Sequence, residues 1–146
     1  QQIINSTIIL KQTIMSTKEP DSMINLVVHG RTPSKKNSKQ IVHVRGRMLI
    51  LPSKDYKSWH EGALNVLKTA KMVPKSIEKV RAVHLCFYGE NKRKFDLSNK
   101  AESIMDLLVD AGILLDDNYE VVPELCLTYG GIDKDNPRCD VTIYII

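Results

Sequence analysis

The stretch "KRKFDLSNKAESIMDLLVDAGILLDDN", residues 92–118, sets a helical pattern between charges of both signs. Ala101, Ile104, Met105, Leu108 and Ala111 recur at the three- and four-residue spacing that lines one helix face, and Gly112 supplies a stop. A helix is predicted over residues 97–111, with Asp96 where an N-cap belongs. Lys92, Arg93 and Lys94 abut Asp96, and Asp116-Asp117 follow the helix. Each feature alone has a plain reading, a capped helix and a polar turn. Together they also suit a hard cation. Mg²⁺ binds through one or two carboxylates and keeps positions for substrate phosphates, and two such ions about 4 Å apart assist phosphodiester hydrolysis. The neighbouring cations would then face the phosphate. A helix of about 15 residues spans roughly 22 Å. Asp116-Asp117 therefore approach Asp96 only if the chain turns back along the helix, and "YEVVPELCL" offers a strand for that return.

Outward from this stretch the chain alternates strand and helix patterns. "INLVVHG" (24–30) reads as a strand, and "RTPSKKNSKQ" (31–40) as a basic loop. "IVHVRGRMLILPS" (41–53) reads as a hairpin around Arg45-Gly46-Arg47. Ser53 is placed to cap a helix on which Tyr56, Trp59, Ala63, Val66 and Leu67 share a core-facing side, with Pro74 as its limit. "VRAVHLCFYGE" (80–90) has the composition of a central strand, and "EVVPELCLTYG" and "CDVTIYII" give two more. The order predicts an α+β single domain, a mixed or mostly antiparallel sheet packed with two main helices. Residues 1–23 read as an N-terminal arm or extension with a short strand at "TIIL", and 24–146 as the domain.

The 146 residues are 42% hydrophobic, enough for one core, and carry a formal net charge of +4. That balance permits a polyanionic partner without requiring one. No run reaches the roughly 20 apolar residues of a membrane span. Cys86, Cys126 and Cys139 have no close pair and lie in apolar runs, so buried thiols are expected instead of a disulfide frame or zinc site. His29, His43 and His84 sit in strand patterns as ordinary sheet residues, and "GRTPSKKNS" lacks the second glycine of a P-loop. The loop 31–40 is either solvated or a backbone-contacting surface, where Lys35, Lys36 and Lys39 supply charge and Asn37 and Ser38 hydrogen-bond a phosphate.

The segment "DLSNKAESIMDLLVDAGILLDDNYEV", 96–121, resembles the RusA family of Holliday junction resolvases, whose members carry Asp-Leu-Asp-Asn at the start of a helix, Ala-Gly at its end and an Asp-Asp pair beyond. "PSKKNSKQ" followed by "LPSKDYKSW" is similar to the family's N-terminal half, especially in phage and prophage members, and the resemblance spans about 25–146. It implies Mg²⁺-dependent cleavage of four-way or related branched DNA by a homodimer in the bacterial cytoplasm. Carried across, Asp96 and Asp117 match catalytic aspartates and Asp116 is the acidic neighbour. Two positions depart: the family's second aspartate falls at Ser98, and a family lysine falls at Glu102. Residues 98 and 102 are one helical turn apart, so Glu102 is a replacement metal ligand and Lys100 a replacement cation.

The expected catalytic set is thus Asp96, Asp117 and Lys100, the metal set Asp96, Asp116, Asp117 and Glu102, and the DNA-contacting set Lys35, Lys36, Asn37, Lys39 and Arg93. The rival reading is a catalytically inactive branched-DNA-binding protein of the same fold. For the homodimer, "CDVTIYII" is an apolar β-run that either offers a sheet edge for a second copy to cover or is buried within one subunit.

Overall fold

The computed structural model describes residues 22–146, so the expected arm and its strand at "TIIL" lie outside the described residues. The elements run β1 (Met23–His29), β2 (Lys39–Val44), β3 (Arg47–Pro52), α1 (Lys54–Thr69), β4 (Ala82–Gly89), α2 (Leu97–Asp110), β5 (Leu125–Ile132) and β6 (Arg138–Tyr144). This is the expected α+β order. The main sheet has the strand order β1-β6-β4-β5; its first two junctions are antiparallel and β4 lies parallel to β5, which makes it mixed.

Local chemistry explains the boundaries. Arg45 and Gly46 both have positive φ, the conformation of the tight turn that joins β2 to β3 with the twist of the strands. The Ser53 hydroxyl accepts from the Tyr56 backbone N–H at 3.1 Å, capping α1 as expected. That helix stops at Thr69, several residues before Pro74, because Ala70 is already extended. Gly112, at φ 73°, closes α2 in the left-handed region that a residue with a Cβ enters only under strain.

The core lies between α2 and the sheet. Ile104, Leu107 and Leu108 meet Val83, Leu85 and Phe87 of β4 and Val141 and Ile143 of β6, all fully or almost fully buried. Burial of each such side chain contributes about 1.5–3 kcal/mol relative to exposure. Cys139 is buried within β6, where desolvation pushes its thiol up and keeps it unreactive; all three cysteines are free.

Of the two readings of the C-terminal run the buried one holds, and one strand boundary changes. "CDVTIYII" is not an edge: β6 is hydrogen-bonded on both sides, between β1 and β4, and buries Cys139, Val141 and Ile143 in its own subunit. Its alternating apolar face is satisfied internally, so it offers no seam for a second copy. The strand expected from Glu120 begins only at Leu125. Before it, backbone bonds from Leu115 N–H to Ile77 O and from Val80 N–H to Val121 O hold the chain near the entrance to β4.

No helix among the described residues is long and apolar enough to cross a membrane.

Candidate nucleic-acid interface

The unit β4–α2–β5 determines where charge goes. Because β4 and β5 are parallel, α2 must run back between them, which places its N-terminus at their C-terminal ends. In open sheets with parallel strands that end is the usual ligand side. Here it opens onto a groove of about 1180 Å³. Arg31, Lys92, Arg93, Lys94, Lys100 and Arg138 line it, against Asp55, Glu90 and Asp96: six cationic side chains to three acidic ones. Asn37 and Ser38 of the basic loop reach its wall.

Within that surplus the cations differ. Arg138 donates to Asp133 at 2.8 Å and to Asp140 at 3.0 Å, and its guanidinium lies 4.0 Å from the centre of the Tyr88 ring. Arg31 pairs with Glu90 at 3.3 Å. Lys92, Arg93 and Lys94 are exposed and make no ion pair with a described carboxylate. The free charge is therefore the 92–94 run at the mouth of α2.

Asp96 sits beside it, at the N-cap of α2, yet its side chain makes no capping bond. Asn99 donates to its Oδ2 at 3.1 Å instead. A capping aspartate is worth about 1 kcal/mol to a helix. Asp96 forgoes that stabilisation and leaves its charge in the groove.

Lys100, one turn on, is buried: its ammonium donates to Thr32 O and lies 4.4 Å from the centre of the Phe95 ring. Burial first, then the charge of Arg31, brings its pKa down to about 8, with Glu90 opposing and Arg93 adding to the fall. Ser103 continues the same helix face, donating to Pro33 O at 2.6 Å, and Asp106 receives Lys35. Residues 100, 103 and 106 thus staple the loop 31–35 onto α2. Lys35, expected to contact DNA, is engaged by Asp106, which raises its pKa; Lys36 and Lys39 are exposed outside the groove lining.

The remaining acids lie elsewhere. Asp116 accepts from the Asp117 N–H at 2.7 Å and from Asn118 Nδ2 at 2.9 Å in a tight turn past the C-terminus of α2. Burial of the carboxyl, then Asp116, then Asp106 push Asp117 above the ordinary aspartate range. Asp106 is ten residues beyond Asp96, about 15 Å along a helix. Within one chain the structure therefore joins Asp96 with Lys100 and Arg93, and joins Asp116 and Asp117 with the Asp106 end of α2; it does not bring the two groups together. Glu102 is exposed and near enough to Lys35 to favour its charge. No group of three or more potential metal ligands gathers among the described residues.

For Mg²⁺, the groove of one chain supplies Asp96, whose carboxylate is not used as a cap, and Asp55 in the first turn of α1, while Glu90 is paired with Arg31. Those carboxylates fit a hard ion whose remaining positions are taken by water and phosphate.

Reasoning from sequence missed Phe95, Tyr129 and Arg138 as groove residues. Tyr129 and Arg138 arrive from strands distant in sequence and carry no local signal; Phe95, between Lys94 and Asp96, was legible as an aromatic in a basic run. No protein-family model matches the chain, and no curated protein matches it.

Proposed function

We propose that this chain is a Mg²⁺-dependent, structure-selective endodeoxyribonuclease that acts on four-way or related branched DNA, the activity its resemblance to the RusA family implies. The observation that supports it best is the groove at the N-terminus of α2. It sets Asp96, whose side chain makes no cap bond, against three cations that form no ion pair among the described residues, Lys92, Arg93 and Lys94. The cations bind and orient a phosphodiester, since backbone neutralisation by Lys and Arg dominates DNA affinity. Asp96 would hold Mg²⁺ against that phosphate. When bound, the ion supplies Lewis acidity at the phosphodiester. Lys100 anchors the loop through Thr32 O and so fixes the groove wall.

The Asp116-Asp117 pair would reach this groove from a second chain. Asp116 and Asp117 lie toward the far end of α2 from Asp96, so a homodimer that presents this turn to the partner's groove completes the acidic set. Two such composite sites related by a two-fold axis match a junction whose two strands must both be cut.

A catalytically inactive branched-DNA-binding protein is the second reading, favoured by the neutral Ser98 and by the separation of Asp117 from Asp96. A gel assay with synthetic four-way junctions decides between them. Cleavage that appears only with Mg²⁺ supports the nuclease, retarded but intact junctions support the binder, and neither retardation nor cleavage rejects both.

A further inference from the structure

We infer that Tyr129 is a stacking platform for an unpaired base, so that the groove takes branched DNA with a splayed nucleotide beside the scissile phosphate. The inference rests on the DNA-binding reading above and deepens its substrate class. Five aromatic residues line the groove: Phe87, which is buried in the core, and Trp59, Tyr88, Phe95 and Tyr129. Three have their rings engaged. Arg138 covers Tyr88, Lys100 lies over Phe95, and Trp59 packs against Tyr56 and His60.

Tyr129 is different. Among the described residues its one ring contact is with Phe95, at 5.8 Å between centroids and 83° between planes, and the residue is 51% exposed. An exposed aromatic ring on the edge strand β5, lining a cationic groove, is suited to the π-face of a base. Phe95 connects it to chemistry, because the next residue is Asp96. A base on Tyr129 therefore places its own phosphate near the Lys92–Lys94 run. The same groove holds polar groups, Thr32 Oγ1 and Trp59 Nε1, that are buried and have no hydrogen-bond partner among the described residues. Inside a paired duplex both π-faces of a base are stacked on the neighbouring pairs, so a fully paired duplex does not offer Tyr129 this contact.

The test uses forked DNA carrying 2-aminopurine at the unpaired position next to the branch, and a fully paired duplex of equal length, both read by fluorescence and by titration. Stacking quenches 2-aminopurine. Wild type and Tyr129→Phe should quench the fork probe, and Tyr129→Ala should not. Tyr129→Ala should also bind the fork about tenfold more weakly, with an unchanged salt slope and unchanged affinity for the paired duplex. Equal losses on both DNAs would mark a merely structural role and overturn the inference. So would wild-type fork binding without quenching, which leaves the DNA-binding reading standing. Failure of the wild-type protein to bind either DNA overturns both.

Discussion

Asp96 and Asp117 carry the same side chain in opposite settings, and their substitution should separate activity from stability. Asp96→Asn and Asp117→Asn should each abolish junction cleavage while leaving retardation largely intact, because phosphate contacts come from lysine and arginine. Their stabilities should not fall with activity. Asp117 is held against Asp116 and Asp106 with its carboxyl pKa raised, so the neutral Asn relieves repulsion and unfolding in urea should be unchanged or shifted upward by no more than about 0.5 kcal/mol at this exposed site. Loss of cleavage accompanied by gross unfolding would remove the evidence for either role. Lys100 offers a test by pH. Its pKa is about 8 in the fold against 10.5 when free, so below pH 8 the buried charge costs stability. As pH rises through 8 the folded chain releases this proton while the unfolded chain keeps it until about 10.5, and stability climbs across that window. Lys100→Met lacks this climb. The difference in unfolding free energy between the two proteins should therefore move in favour of wild type between pH 7 and 10, on the order of 1–3 kcal/mol. A constant difference would mean that the ammonium is not desolvated.

At the scale of elements, the two helix starts behave differently although each begins with a residue suited to capping. Ser53 caps α1 through its hydroxyl, so Ser53→Ala should cost about 1 kcal/mol in urea unfolding. Asp96 makes no such bond, and Asp96→Ala should cost less than Ser53→Ala; the reverse order would show that Asp96 is a structural cap after all. Both positions were legible in the sequence, since capping residues and apolar periodicity act over one or two turns. So were the order of strands and helices, the hairpin turn at Arg45-Gly46 and the stop at Gly112, all set by local backbone preference. What could not be read locally depends on contacts made across the chain. "YEVVPELCL" has strand composition from its start, but its first residues are taken up by the turn at Asn118 and by the Val80–Val121 bond, so the strand begins at Leu125, past the point where it could carry Asp117 back along α2. Lys35 looked like a free cation because Asp106, its partner, is 71 residues away. The C-terminal run read equally as an edge or a buried strand because nothing in its own residues says that β1 and β4 flank it.

For the whole molecule the decisive question is whether one site is built from one chain or from two. α2 separates Asp96 from the Asp116-Asp117 turn, and the apolar pattern that buries Ile104, Leu107 and Leu108 against the sheet fixes that helix in place. Sliding the helix to close the gap would expose these side chains at a cost of roughly 1.5–3 kcal/mol each, more than a marginally stable domain tolerates. A second copy avoids that cost. Apolar surface for pairing is present on the β2–β3 hairpin, where Ile41, Met48 and Ile50 are each more than 60% exposed, and a two-stranded hairpin is at best marginally stable alone. Mixed dimers then provide a sharp test. On the proposed reading, Asp96→Asn and Asp117→Asn should each be inactive alone. If the sites are composite, a heterodimer of the two holds one site with both changes and one site with neither, so mixing the inactive proteins after mild unfolding and refolding should restore nicking of one strand of the junction. If each site is built within a single chain, every site in the heterodimer carries one lesion and the mixture stays as inactive as its parts. Light scattering fixes the interpretation: the mixture must run at twice the 16.6 kDa of one chain, and restored nicking by a protein of that doubled mass is the expected result.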